Sequence, residues 1–246
     1  MYAAIEHNPQ RYARLSGLLY LAIIVLGLFG EGYARGSLFV PGDAAASASN
    51  IAASPFLWRA GIAGDILMHI FDVPVIVALY LLLRPVSASL ALLSTLLNLV
   101  QTAVLVGNKL NLLVPIFLLA DASYLQAFSP EQLHALSYLA IKAHSFGFGI
   151  GLIFFGAACL VRGYLIYQSG YFPRVIGVLI VVAGLCYLTN SFALLVAPSF
   201  ADAIFPAVLV PAFIGELSFA LWLIIKGVNI QQWRQRTAGP TAPLGI

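Results

Sequence analysis

Within an apolar segment spanning about residues 60 to 83, the run Ile62-Ala63-Gly64-Asp65-Ile66-Leu67-Met68-His69-Ile70-Phe71-Asp72-Val73-Pro74 carries three ionisable side chains. At about 100° per residue, Asp65, His69 and Asp72 fall within roughly 60° of helical arc. An ionisable group in hydrocarbon costs about 3 kcal/mol or more, so a triple placement must face protein, water or a partner of opposite character. The stripe is therefore the first candidate site, and the segment that bears it the first candidate membrane helix.

The rest of the chain repeats the apolar pattern. Runs at 15–31, 60–83, 88–120, 136–167, 174–197 and 204–226 each approach or exceed the roughly 20 residues that cross a bilayer. Of 246 residues 61% are apolar and 9% charged, and the mean hydropathy is +0.97, far from the roughly 25% charged content of soluble domains. The sequence predicts an all-α polytopic bundle of six transmembrane helices over 1–230. A cytoplasmic interfacial anchor at Trp233, Arg234 and Arg236 and a disordered Gly/Pro-rich tail are expected over 231–246. The first run is long for a secretory signal core, so it reads as helix one.

The bases flank the apolar runs and form no stripe with interleaved aromatics, which excludes nucleic acid as a partner. Arg11, Arg14, Arg84, Arg162, Arg174, Lys226, Arg234 and Arg236 gather on one side by alternation of the spans. Glu31, Arg35, Asp43, Arg59, Asp121, Glu131 and Asp202 fall on the other. The positive-inside rule then places both termini in the cytoplasm of a cell (inner) membrane protein. Cys159 and Cys186 lie inside apolar runs and read as small fillers.

Boundaries are legible in the loops. Asp43 is placed to cap a short outer-surface helix, and Ser129-Pro130-Glu131-Gln132 has the signature of a helix start. Arg84-Pro85 leaves a tight hairpin between helices two and three. Gly170 suits the end of helix four, with Tyr171 and Phe172 expected at headgroup level.

Arg14-Leu15-Ser16-Gly17-Leu18-Leu19-Tyr20-Leu21, Val40-Pro41-Gly42-Asp43, the paired Asp65 and Asp72, Ala143-His144, Phe154-Phe155-Gly156 and Ser169-Gly170-Tyr171-Phe172-Pro173-Arg174 together resemble a bacterial multi-pass membrane family catalogued only as a domain of unknown function (DUF4386-like). The resemblance covers about residues 10 to 230. It implies a bacterial inner-membrane protein and transfers no catalytic or binding role, so chemistry must come from the residues.

Counting about 1.5 Å per residue from the helix ends puts Asp65, His69, Lys109, His144 and Asn190 in the outer half of the bilayer and Asp72 and Glu216 near its midplane. Helix three carries Ser94, Gln101, Asn108 and Asn111 on one arc and Asn98, Thr102 and Lys109 on the next, so it sits centrally or lines a wet cavity. Pro115 and Pro74 remove backbone donors and are expected to free the carbonyls of Asn111 and Ile70. On helix four, His144, Gly151 and Ala158 share a face, and Gly147 with Gly151 makes a small-residue pair suited to an internal or an intersubunit contact. Lys142 points about 160° away from His144.

The candidate proton- or ligand-binding residues are thus Asp65, His69, Asp72, Asn108, Lys109, Asn111, His144, Asn190 and Glu216, lining a polar chamber open toward the outer leaflet. Three readings stay open, and no catalytic residue or cofactor is assigned. In the first, four carboxylates (Glu31, Asp65, Asp72, Glu216) against one buried lysine leave negative charge that suits proton-coupled binding or translocation of a small, cationic solute. In the second, His69, His144, Asp65 and Glu216 hold a metal for membrane-embedded catalysis, although their spacing matches no recognised zinc motif; a bis-histidine haem between His69 and His144 is a variant. In the third, Asp65 and Asp72 pair with Lys109 in a structural or sensor network.

Overall fold

The structure is a computed structural model describing residues 8–238. The expected disordered tail at 239–246 lies outside the described residues. Among those described there is no strand, and six helices are long and apolar enough to cross a membrane. They are α1 (Pro9–Leu38), α3 (Pro55–Leu83), α4 (Ala88–Leu118), α5 (Pro130–Ser169), α6 (Arg174–Val196) and α8 (Ala207–Ile225). Shorter helices follow at α2 (Ala44–Ala53), α7 (Pro198–Ile204) and α9 (Ile230–Ala238), with a 3-10 turn at Ser123–Ala127 between α4 and α5.

Local chemistry sets the ends. Asn8 accepts from the Arg11 N–H with Pro9 in the first turn of α1. Asp43 accepts from Ala46 N at 2.9 Å and so starts α2 as expected, and Ser129 with Gln132 forms a reciprocal capping box at the start of α5. Gly170 closes α5 at φ +78°, a left-handed conformation that costs glycine nothing.

With six crossings, the start of α1 and the end of α8 lie at one end of the bundle, here called the termini side. Gln10 ties them, donating to the Lys226 carbonyl at 2.7 Å and accepting from Val228 N at 3.0 Å. The α5–α6 turn joins the same end: Asn229 N donates to the Tyr171 carbonyl, and the Tyr171 hydroxyl donates to Leu82 O at 2.6 Å. Tyr171 and Phe172, expected at headgroup level, are both buried against protein, and Phe172 meets Phe219 edge-on at 5.9 Å. Trp233 is likewise no surface anchor: it is 2% exposed and packs in the same cluster with Tyr171, Phe219 and Leu223.

Two spans depart from regular helix. α1 widens into a π segment at Leu28–Arg35. α4 breaks at Lys109, where Lys109 N turns to Val106 O and Leu112 N to Lys109 O. The carbonyl that takes an outside donor there is that of Leu112, which accepts from Trp58 Nε1 at 2.9 Å, and not that of Asn111 as Pro115 alone suggested. On the far side, Tyr138 near the start of α5 accepts from Gly42 N and stacks on Phe39, which seats α2 against α5.

The small-residue face of α5 is occupied internally. A Cβ on Gly147 would collide with the Asn108 amide, and one on Gly151 would lie 2.5 Å from Leu105, while Ser94 donates to Ala158 O. The α4–α5 contact thus uses the glycines that were candidates for oligomerisation. Cys159 and Cys186 are both free, with Cys159 fully buried in the core.

Candidate functional site

Two irregular helix segments converge on one carboxylate. The π turn of α1 delivers Arg35, whose Nη1 lies 2.8 Å from Asp65 Oδ2 and whose Nη2 donates to Asp65 Oδ1 at 3.2 Å. The break in α4 delivers Lys109, with Nζ 2.9 Å from the same Asp65 Oδ2. Gly30 on α1 makes room for this approach, since a Cβ there would overlap the Asp65 carboxylate; Gly61 does the same against Ala34.

Around that core the layer extends outward. Arg35 also binds Glu31, with Nη2 2.6 Å and Nε 2.7 Å from Glu31 Oε2, and the Glu31 side chain is 50% exposed. Lys109 Nζ lies 3.4 Å from His144 Nε2, so the ammonium donates and the imidazole nitrogen accepts. Asn108 donates to the His144 carbonyl at 2.8 Å and accepts from Asn111 at 2.9 Å. Phe148 covers Lys109 from 5.9 Å. Asp65 and His144 are 1% exposed and Lys109 3%, which leaves no space for water against them. The expected open polar chamber is instead a packed network.

The second layer lies toward the termini side. Asp72 accepts from Thr102 and, at 3.3 Å, from Asn98 Nδ2. Asn98 also donates to Gln101 Oε1 at 2.8 Å and accepts from Arg162 through its Oδ1. Asp65 pairs with Lys109 as the structural reading expected, whereas Asp72 does not: seven residues place it about 10 Å further along α3, beside Asn98 and Thr102. His69 stands between the layers, 3% exposed, and its Nε2 has no hydrogen-bond partner. Glu216 faces Tyr187, Arg162 and Asp72 in the second layer. Asn190 joins neither layer; among the described residues it is half-buried and makes no side-chain hydrogen bond.

Two buried cations escaped the sequence reading. Arg35 and Arg162 were both assigned to loop ends, yet they are 7% and 3% exposed. The signal was present for Arg162: Gly163-Tyr164-Leu165-Ile166-Tyr167 follows it before the helix ends at Gly170. With Arg35, Lys109 and Arg162 facing Glu31, Asp65, Asp72 and Glu216, the imbalance shrinks to one negative charge. A guanidinium is also the base best suited to a dry, multiply bonded position.

Among the described residues no three His, Cys, Asp or Glu side chains group into a set able to hold a metal ion. His144 is engaged with Lys109, and Glu216 belongs to the other layer, so His69, His144, Asp65 and Glu216 do not form one ligand shell. A cavity of about 250 Å³ lies apart from both layers, between Ile51, Trp58, Arg59, Pro115 and Leu119.

The comparisons place the chain in a family and add no activity. A family model described as "Domain of unknown function (DUF4386)" matches residues 15–227. An "Uncharacterized protein" of Archaeoglobus fulgidus is 32% identical over 173 residues, which is 70% of this chain and 86% of that protein. No solved structure matches the chain.

Proposed function

Since this chain belongs to the membrane family described as a domain of unknown function (DUF4386), which brings no activity with it, we propose a function from the geometry: binding or translocation of a small solute, coupled to one proton. The carrying observation is that the π segment of α1 and the break of α4 both terminate on Asp65, each supplying a cation. Irregular backbone at membrane depth is tolerated where protein or a cavity covers it, and π turns recur at functional sites. Such segments can straighten, and straightening either one would withdraw Arg35 or Lys109 from Asp65. The released carboxylate and cation would then be free to hold an ionic solute.

The charge count narrows the solute. Asp65, Asp72 and Glu216 meet three interior cations, with the half-exposed Glu31 at the edge of the first layer, so a strongly cationic cargo is not required. A solute anion can compete with Asp65 for Arg35 and Lys109, and a solute cation can compete with those two for Asp65. The metal-dependent reading lacks a converging ligand set. The structural reading draws on the dry packing around Asp65 and becomes the outcome if no solute binds.

The proposed placement is a cell membrane with both termini cytoplasmic. Arg11, Arg14, Arg84, Arg174, Lys226, Arg234 and Arg236 all fall at the termini side, while Asp43, Asp121 and Asp202 mark the far side, the asymmetry that the positive-inside rule reads.

The test is reconstitution of the full chain in liposomes loaded with a pH-sensitive dye, challenged with panels of small anions, neutral solutes and cations. A solute-dependent proton flux that disappears in Asp65→Asn supports the proposal. Absence of both solute binding and flux across the panels overturns it in favour of a structural network.

A further inference from the structure

The second layer differs from the first in what is left unsatisfied. Glu216 on α8 lies within electrostatic reach of Tyr20 from α1, Asp72 from α3, Cys159 and Arg162 from α5, and Tyr187 from α6. Ring contacts fix the arrangement. Tyr187 lies 5.4 Å from Phe155, over which the Arg162 guanidinium sits at 5.9 Å, and Tyr20 meets Phe219, one turn beyond Glu216, at 6.1 Å.

Two atoms here, Tyr20 Oη and Glu216 Oε1, are sealed from solvent without a hydrogen-bond partner. The other polar groups are committed: Arg162 to Asn98, and Asp72 to Thr102 and Asn98. No cation lies within ion-pair distance of Glu216 among the described residues. Glu216 as a residue is only partly buried, but a carboxylate with one oxygen sealed and no paired cation is costly, and a neutral acid removes that cost.

We infer that Glu216 carries the exchangeable proton, in a layer distinct from the Arg35–Asp65–Lys109 layer that takes the solute. The assignment rests on the proton coupling proposed above and divides its labour between two places. Loss of the proton leaves a carboxylate on Glu216, and Arg162 is the nearby cation that can meet it. Arg162 must then release Asn98, whose amide nitrogen holds Asp72. Asp72 shares its α3 face with His69 and Asp65, so a change at Glu216 is transmitted along one helix to the solute layer. A cavity of about 10 Å³ beside Arg162, lined by Ser94, Thr95, Tyr80 and Leu83 near the α3–α4 turn, offers the departing proton a way out. That volume is about the least that holds one water.

Infrared difference spectroscopy on the full chain in lipid, comparing acid with alkaline buffer, tests this without any solute. The expected result is a carboxylic-acid carbonyl band that bleaches in alkali, is missing in Glu216→Gln and is kept in Asp72→Asn. In Tyr187→Phe the acid remains and its band moves in frequency, because the facing hydroxyl is gone. A band that persists in Glu216→Gln, or a wild type with no such band in acid, overturns the assignment, as does an unmoved band in Tyr187→Phe. Because this readout concerns protonation alone, an empty solute screen would sink the proposed function and leave this result to stand or fall separately.

Discussion

The α3–α4 and α5–α6 hairpins each bring two antiparallel spans together through a short turn on the termini side, and they do so with opposite chemistry. In α5–α6 the contact is backbone on backbone. A Cβ on Gly163 would lie 2.6 Å from Gly177 O, and one on Gly184 2.7 Å from Gly156 O. In α3–α4 the contacts are Asp65 to Lys109, Asp72 to Thr102 and Asn98, and Trp58 to Leu112 O. Close packing of small residues is enough to hold helices together in lipid, whereas polar contacts there contribute only about 0.6 kcal/mol on average. The chain therefore has an inexpensive way to join two spans and uses it between α5 and α6. That the other hairpin is built from charge argues that charge serves something other than cohesion.

The contrast can be broken most severely at the glycine seam. Gly163→Leu forces a side chain into the backbone of α6 and is expected to cost about 4 kcal/mol or more, read as loss of thermally stable, monodisperse protein in mild detergent. Gly107→Leu, at a glycine facing open space, is expected to stay within about 0.5 kcal/mol of wild type. Equal effects at both positions would remove the seam from the account.

Next comes the charge layer. Asp65→Asn leaves Arg35 and Lys109 buried against a neutral amide, at an expected cost of about 3 kcal/mol. Adding Lys109→Met should return part of it, so a double-mutant cycle in chemical denaturation measures the coupling. A neutral single variant would show that the layer is not held by charge.

The latch between the two hairpins is weaker. Tyr171→Phe removes the hydrogen bond to Leu82 O and should cost about 1 kcal/mol. Burial also pushes the Tyr171 phenol above its ordinary value. The folded state then holds the phenolic proton more tightly than the unfolded chain, so the contribution is intact below about pH 10 and lost above it. Unfolding followed across that range should show an alkaline loss of stability that shrinks in Tyr171→Phe. The smallest effect is expected at Thr102→Val, about 0.6 kcal/mol by the same unfolding assay, since Asn98 still reaches Asp72.

Six spans, the cap at Asp43, the start at Ser129 and the end at Gly170 were legible because apolar length and capping chemistry are local properties. The Asp65, His69 and Asp72 stripe was legible for the same reason: helical arc can be computed from spacing alone. That Asp65 meets Lys109 was expected, but that Arg35 joins them, and that Asp72 does not, was not legible, because it depends on how α1 and α4 deviate from regular helix. Without the π turn at Leu28–Arg35, Arg35 reads as the end of a span, and without the break at Lys109 the lysine's direction is undefined. Arg162 was misplaced by a rule that treats bases near a helix end as orientation markers. Asn190 was included by depth alone, which says nothing about the face a residue occupies.

One series of glycines along α5 and α6 is spaced by sevens, at 149, 156 and 163, at 170 in the turn, and at 177 and 184, continued by the buried Ser191. The four residues from Gly170 to Pro173 fix the phase between its two halves. One inserted residue would rotate α6 by about 100° and shift it by about 1.5 Å, setting branched side chains where backbone now meets backbone. Length variation in this part of the molecule should thus be confined to the opposite end of the hairpin, and a chain of altered turn length would have to assemble its last two spans in a different way.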